Sequence, residues 1–491
     1  MLARFAKRFS TPRNKTNTLL ASRLLLFITL AMSHQSIAQD QAISLDKALS
    51  YLPAGSDAAI VVIDADTGTR LYQQREEQFQ PPASIQKTIT ALAAASYLPK
   101  DFRFSTRIEQ QGDNLIVRFS GDPTLMRTDL ARLLRQARQK GITAVKGDVL
   151  LNGGQFNGYE RAAGWPWDIL GVCYSAPSSS LSLEHNCVQG ALYSNKALGQ
   201  TTRVNIPSHQ PINVTTKAKV VSKDQQQQSH CDLELTTGYN NRYQLDGCLV
   251  KRDKPLPLNF AVQDTTAFIT AVIKQELGNQ GIRLSGKVKR DDSAKGKLIA
   301  THYSSALPEL LDTMMKDSDN LIADNLTKTL GARYFQQAGT FANGTEAIKA
   351  IIKEKTGINL ESSILADGSG LSRNNRITAA KMAEVITYIH QQDEQLELLN
   401  TMPISGQSGT LRYRQSLRQP PLKGAIAAKS GSLYGTYNLA GQLTAKSGKT
   451  LLFVQMVTNY HPPERDENAP AVATPIEAFE RQLYRQLYDS Y

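Results

Sequence analysis

The spacing of apolar residues along this chain changes several times, and each change marks where one kind of element gives way to another. Residues 57–73 hold the β-branched run Ala58-Ala59-Ile60-Val61-Val62-Ile63, then Asp66-Thr67-Gly68, then Leu71-Tyr72, a pattern that predicts a β-hairpin turning at Asp66-Thr67-Gly68. Pro81 and Pro82 set the start of a strongly apolar helix from near Ser84 through Ala91 to Tyr97. From about residue 100 to 260 short alternating runs with frequent Gly and Asn predict a mostly β region, and the Gln-rich stretch within 224–229 reads as an exposed loop. Helical spacing returns over 265–277, 308–315, 321–330 and 379–390, followed by strands over 424–432, 437–445 and 449–457. A last helix over 476–488 places Phe479, Leu483 and Leu487 four residues apart. Packing on the sheet is the reading favoured over binding to a membrane surface.

This order predicts an α+β fold in which residues 39–98 and 262–491 form one domain, an antiparallel sheet flanked by helices. A large, mostly β insert of one or two subdomains, residues 99–261, splits it.

The first residues are a separate matter. Arg4, Lys7, Arg8, Arg13, Lys15 and Arg23 precede the apolar run 24–32 and the small-residue site Ser36-Ile37-Ala38, which reads as a secretory signal peptide over 1–38, cut after Ala38. The apolar run is far shorter than the roughly 20 residues of a membrane span. Export to the periplasm is therefore expected, with at most loose membrane association. The formal charge of +12, less those six basic residues, leaves +6. That mild excess suits anionic polymers and contains no dense basic block of the kind that binds nucleic acid.

The four cysteines agree with an oxidising compartment: Cys173 and Cys187 lie 14 apart, Cys231 and Cys248 lie 17 apart. Pairing of neighbours is simplest, although four cysteines allow three connectivities. There is no C-x-x-C spacing and no H-x-x-x-H pair, so neither a metal nor another cofactor is expected.

Three pieces occur in order: Ser84-Ile85-Gln86-Lys87, Ser318-Asp319-Asn320 and Lys429-Ser430-Gly431. They match the S-x-x-K, S-D-N and K-T-G set of serine acyl-transfer enzymes. Each piece alone is weak, because Ser44-Leu45-Asp46-Lys47, Ser372-Arg373-Asn374, Lys355-Thr356-Gly357 and Lys446-Ser447-Gly448 imitate them. Context separates them. Gly357 follows a helical run and reads as a helix C-terminal glycine, and Gly448 lies between two strands and reads as a hairpin turn. Lys429 instead follows Gly424-Ala425-Ile426-Ala427-Ala428, a run suited to an edge strand beside which a substrate backbone can lie.

On a helix, residues three apart face the same way, so Lys87 can reach the Ser84 hydroxyl and serve as its base once burial lowers its pKa. The start of the helix would favour negative charge developing at Ser84. Ser318 can relay protons to a leaving amine, and Asn320 can hold a substrate carbonyl or orient Lys87. Lys429, a fixed positive charge, and the hydroxyls of Ser430 and Ser432 can bind a carboxylate. Read alone, Ser84 and Ser318-Asp319-Asn320 are ordinary helix caps.

Further segments are Pro82-Ala83 before Ser84, Ser120-Gly121-Asp122-Pro123, Gly164-Trp165-Pro166-Trp167-Asp168, Asp367-Gly368-Ser369-Gly370-Leu371-Ser372-Arg373, and Tyr437-Asn438-Leu439-Ala440-Gly441. With them the chain resembles the low-molecular-mass class C penicillin-binding proteins, the D-alanyl-D-alanine carboxypeptidase/endopeptidases. The 234 residues between Ser84 and Ser318 match the large insert of that family. The resemblance implies a β-lactamase/DD-peptidase-like domain with Ser84 as acylated nucleophile, Lys87 as base, Ser318 and Asn320 as second element, and Lys429 as carboxylate-binding lysine. It further implies a substrate-binding strand at Ser430, Gly431 and Ser432, an oxyanion hole from the N–H groups of Ser84 and Ser432, and Arg373 beside the substrate terminus. Peptidoglycan stem peptides would be the substrate, cut at D-Ala-D-Ala ends or at D-Ala-diaminopimelate cross-links, and β-lactams would be covalent inhibitors.

Two departures stand out. Ser430 replaces the usual threonine, and Asp168 lies one position before the place of a family acid that contacts diaminopimelate, where this chain has Ile169. The rival readings are a β-lactamase, disfavoured because no E-x-x-x-N element lies between the first two motifs, and a wall-binding protein without catalysis.

Overall fold

The computed structural model describes residues 44–462 and 473–491; the segment read as a signal peptide lies outside them. The hairpin expected near the start forms from strands Asp57–Asp64 and Arg70–Gln74, with Gly68 in the left-handed turn conformation. It is the edge of a five-stranded antiparallel sheet completed by Thr450–Thr458, Thr436–Thr444 and Ile426–Leu433, in that order outward. Strand Asp57–Asp64, interior to the sheet, is apolar at almost every position because both faces of the sheet are covered. Ala59, Val61 and Ile63 join the core with Ile89, Leu326 and Ile386, whereas Ala58, Ile60 and Val62 face Phe479, Leu483 and Leu487. Successive side chains on a strand alternate faces, which sorts the run into two cores.

On the first face lie helices Lys87–Tyr97, Leu307–Lys316, Asn320–Phe335, Phe341–Thr356 and Ala379–Gln391. On the other lies the C-terminal helix Pro475–Ser490, whose Glu480 is buried and bound by Arg414 and Ser416. This is the α+β arrangement expected. No helix among the described residues is long and apolar enough to cross a membrane.

The insert departs from the sequence reading in three places. A second five-stranded sheet runs Val288–Arg290, Val149–Asn152, Asn114–Arg118, Ser105–Gln111, Lys297–Tyr303, so strands beyond residue 261 pair with strands before it. The expected boundary at 261 falls between Leu256–Ala261 and Thr265–Asn279, and the sheet is complete only at Tyr303. Helix Arg127–Gln139 was not anticipated, although Leu130, Leu133, Leu134 and Ala137 keep helical spacing; it makes the crossover that the parallel pair Asn114–Arg118 and Val149–Asn152 requires. The Gln-rich stretch is an exposed helix, Lys223–Ser229, whose first turn is capped by the Ser222 hydroxyl, which accepts from Gln225 N–H.

Smaller sheets complete the insert, one built on Leu256–Ala261, Cys187–Tyr193 and Arg203–Asn205, and another centred on Arg242–Val250. The cysteines pair as neighbours, Cys173 with Cys187 and Cys231 with Cys248.

Helix Asn320–Phe335 is buried around nearly its whole circumference, yet carries Asp324, Asn325 and Lys328. Asn325 and Lys328 are where the insert docks. Asn325 donates to the Gly121 carbonyl and accepts from the Ser178 hydroxyl, and buried Lys328 donates to the carbonyls of Tyr159 and Ser178. Desolvation lowers the Lys328 pKa to about 8, partly offset by Glu160 and Asp324.

Phe479→Ala removes a fully buried aromatic ring of the C-terminal helix and is expected to cost about 3–5 kcal/mol of stability, the usual range for a buried phenylalanine. Denaturant unfolding measures it, and a loss under about 1 kcal/mol would mean that the helix is not part of the cooperative core.

Candidate active site

The site forms where the sheet edge meets the start of helix Lys87–Tyr97. Ser84 lies in the 3-10 turn Ala83–Gln86 just before that helix, not in the α-helix itself. Close approach is possible because the neighbouring strand carries Gly431, where an added Cβ would lie 2.9 Å from the amide nitrogens of Ser84 and Ile85. The glycine of the third motif is thus a spacing requirement. Asn438, buried on the next strand, fixes the other side of the turn by donating to the carbonyls of Pro81 and Pro82, each at 2.9 Å. Gly370, with φ +81, approaches it from a third direction, since a Cβ there would strike the Ala83 carbonyl.

Lys87 is fully buried, and its Nζ meets Ser84 Oγ at 2.9 Å, Asn320 Oδ1 at 2.6 Å and the Ser369 carbonyl at 2.7 Å. Desolvation lowers its pKa to about 8, while the carboxylates of Asp324, Asp367 and Asp319 act in the opposite sense. Asp324 is buried too, and its pKa is raised, first by desolvation and then by Asp367. Its Oδ1 accepts from the N–H groups of Gly368 and Ser369, both at 2.9 Å, which aims the Ser369 carbonyl at Lys87.

The Asp367–Arg373 segment is folded around the Asp367 carboxylate. It accepts from Gly370 N–H at 2.8 Å, Ser372 N–H at 2.6 Å, Trp165 Nε1 at 2.9 Å and Asn375 Nδ2 at 2.9 Å. The Trp165 bond joins this loop to the 164–168 segment, as does Arg373 N–H donating to the Gly164 carbonyl.

The second and third motifs meet across the cleft. Lys429 Nζ donates to Ser318 Oγ at 2.9 Å and to the Ser430 carbonyl at 2.9 Å. Ser318 holds a left-handed backbone, φ 60, directly before the capping Asp319. Lys429 was read as a fixed positive charge. Burial and the nearby charges of Lys87 and Arg414 push its pKa well below the ordinary lysine value, so its charge depends on what faces it. Ser430 Oγ pairs with Thr410 Oγ1 at 2.7 Å.

Ser84, Ser318, Asn320 and Ser432 line one cleft of about 660 Å³ with Asp168, Ile169, Tyr174, Arg373 and Tyr434. Asp168 and Arg373 are exposed where they line it, and Arg373 lies 5.9 Å from the Tyr434 ring centre. Of the imitating motifs, Ser372-Arg373-Asn374 reaches the cleft through Arg373, and the other three do not line it. Gly357 ends a helix at φ +78, Gly448 turns a hairpin at φ +92, and Ser44 Oγ donates to Asp46. Sequence reasoning gave no role to Asp324, Asp367, Ser369, Tyr174 or Asn438. Only the Asp367 and Asn438 segments were singled out at all.

The family model for D-Ala-D-Ala carboxypeptidase 3 (S13) matches residues 41–483. The chain belongs to the S13 family. It is 38% identical to the D-alanyl-D-alanine carboxypeptidase DacB of Haemophilus influenzae over 446 residues, 89% of this chain and 92% of that protein. It is 26% identical to the D-alanyl-D-alanine carboxypeptidase of Actinomadura sp. strain R39, over 83% of this chain and 78% of that one. The fold matches the crystal structure of penicillin binding protein 4 (dacB) from Haemophilus influenzae with a TM-score of 0.85 at 37% identity, over 91% of this chain and 100% of that chain. The same protein complexed with a β-lactam matches with a TM-score of 0.81 at 36% identity, over the same shares of the two chains.

In this S13 chain Gly431→Ala tests the spacing argument. The added methyl forces the strand away from the Ser84 turn, and acylation by a β-lactam is expected to slow by about a hundredfold, the scale of an ångström-level misplacement. Unchanged kinetics would show that the strand can shift without disturbing Ser84.

Proposed function

We propose that this chain is a penicillin-binding serine DD-peptidase that cleaves D-Ala-D-Ala ends or D-Ala-diaminopimelate cross-links of peptidoglycan stem peptides. The observation that carries the reading is Lys87 Nζ at 2.9 Å from Ser84 Oγ, inside a cleft that Asn320 and the Ser318–Lys429 pair close from the other side. Membership of the S13 family and the names of its relatives support the substrate class.

In this mechanism neutral Lys87 takes the Ser84 proton as Oγ attacks the carbonyl carbon of the penultimate D-Ala. Burial makes the neutral amine accessible near physiological pH. The oxyanion develops between the N–H groups of Ser84 and Ser432. As the C–N bond breaks, the proton that Lys87 took passes through the Ser318 hydroxyl to the leaving amine, which returns Lys87 to its neutral form, and Lys429 with Ser430 faces the terminal carboxylate. Water then attacks the Ser84 ester with Lys87 again as base, releasing the shortened peptide. Nucleophile, base and proton relay all belong to the chain itself.

The compartment proposed is the periplasm, on the signal-like N-terminal sequence and the two disulfides. The catalytic part comprises the residues up to 98 and those from about 304, with the insert between them. Asp168, exposed where it lines the cleft, is placed to meet a cationic substrate side chain after a small shift of its turn.

Brief exposure to benzylpenicillin followed by intact-mass measurement is expected to give one adduct on the wild type and none on Ser84→Ala. An adduct that persists on Ser84→Ala would refute the nucleophile assignment, and consumption of penicillin with no adduct would make the protein a β-lactamase.

The pH dependence follows from Lys87. A base must be unprotonated, so the acylation rate constant is expected to rise through a midpoint near pH 8 and then level off. Stopped-flow acylation across pH 6 to 10, in steps of about half a unit, checks it. A flat profile would remove Lys87 as the titrating base.

A further inference from the structure

The 3-10 turn Cys173–Ser175 overhangs the cleft and is tied down covalently. Cys173 is bonded to Cys187, the first residue of strand Cys187–Tyr193, which pairs along its length with Leu256–Ala261. Val172, just before the turn, bridges Phe260 on the same sheet. At the tip of the turn the Tyr174 carbonyl accepts a hydrogen bond from Asn320 Nδ2 at 2.7 Å. The other end of that amide, Oδ1, accepts from Lys87 Nζ at 2.6 Å.

A carboxamide has one accepting and one donating end. A backbone carbonyl can only accept, so Tyr174 takes the NH₂ end of Asn320 and leaves the oxygen facing Lys87. Without a fixed carbonyl at that place the amide could turn and offer Lys87 a donor in place of an acceptor. The position of Tyr174 is itself set by the adjacent disulfide.

We propose that the Cys173–Cys187 disulfide is a positioning element for catalysis, which fixes the Asn320 amide toward Lys87 through the Tyr174 carbonyl. The proposal rests on Lys87 being the base that activates Ser84. It also gives the insert a part in the reaction, since the tie originates on a strand of the insert. The second disulfide, Cys231–Cys248, joins the four-stranded sheet of the insert and serves as an internal control. Cys173 and Cys187 line a second hollow, adjoining the cleft at Tyr174, Ser318 and Asn320, so a small reductant can reach them.

The test uses the full chain carrying Cys231→Ser and Cys248→Ser, in which Cys173–Cys187 is the remaining disulfide. Its acylation by a fluorescent penicillin is followed by stopped flow before reduction, after reduction with a phosphine, and after reoxidation. Reduction is expected to lower the acylation rate constant roughly ten- to a hundredfold, the scale of a misplaced catalytic group, and reoxidation to restore it. The midpoint of the pH profile is expected to move to lower pH, because Lys87 loses an acceptor that stabilises its ammonium form. Partial unfolding alone would reduce the amount of adduct while leaving the rate constant and midpoint of the remaining molecules unchanged. That outcome, or no change at all, overturns the proposal.

The complementary chain, Cys173→Ser with Cys187→Ser, should be slow from the start and insensitive to the reductant; if it acylates like wild type, the proposal fails. Should it not fold, the reductant experiment decides alone. Absence of any Ser84 adduct on the wild type would refute the underlying reading of the site, a result distinct from a wild type that acylates regardless of the Cys173–Cys187 bond.

Discussion

A lysine amine sealed from water must be met by acceptors, and much of this molecule is arranged to bring them to Lys87. The three that reach it come from three places in the chain: Ser84 one turn back, Asn320 at the start of a distant helix, and Ser369 in a loop. Leaving such a group unsatisfied in the interior would cost several kcal/mol, so each supplier has to be held in turn. Asp324 holds the Ser369 loop, Asp367 folds the rest of that loop, and Trp165 joins the loop to the insert. The compensation is chemical. The burial that makes the ammonium form expensive makes the free amine, the form able to accept a proton, available near neutral pH.

The sheet sets the distances at which this happens. Strand Ile426–Leu433 is an edge strand, and it comes against the Ser84 turn where Gly431 lacks a side chain. A methyl there would have to displace backbone atoms, which yield much less readily than the end of a flexible side chain. Asn438, one strand further in, grips the Pro81 and Pro82 carbonyls, so the turn is clamped to two adjacent strands. The two-sided burial of the sheet's interior strands keeps those strands from moving as a unit. Apolar helices press on one face and the C-terminal helix on the other.

What the sequence made legible is what depends on local spacing or on short motifs. The apolar run 58–63, the later helices, the three closing strands and the C-terminal helix could be read because each buries a regular stripe. The order of the three motifs pointed to Ser84, Lys87, Ser318, Asn320 and Lys429 as one group, and the structure places them around one cleft. Helix Arg127–Gln139 carries the periodicity to be found, but lies among Gly- and Asn-rich segments that argued for strands. The Gln-rich helix escaped because it has no apolar stripe; its Ser222 cap was the available signal. The boundary at 261 misled for a different reason. Strand Lys297–Tyr303 pairs with Ser105–Gln111 across nearly 200 residues of chain, and no local pattern encodes that partner. The same holds for Asp324 and Asp367, whose hydrogen bonds could not be foreseen from their neighbours in sequence.

Two buried lysines beside one cleft raise a last question, because each disfavours the charge of the other. Lys87 contributes to the low pKa of Lys429, and coupling of this kind is reciprocal: charging either one makes the other easier to deprotonate. In the proposed reaction a substrate carboxylate arriving beside Lys429 supplies a counter-charge that favours its ammonium form against the cost of burial. A positive Lys429 then biases Lys87 toward the neutral base. Binding of the anionic terminus and activation of Ser84 are in this way a single electrostatic event. A ligand with no carboxylate would leave the ammonium form of Lys429 less favoured and Lys87 protonated for more of the time, so the site would discriminate against it in the acylation step as well as in binding. The serine in place of threonine at position 430 leaves this intact, since the coupling runs through the two amines and not through the hydroxyl that Thr410 holds.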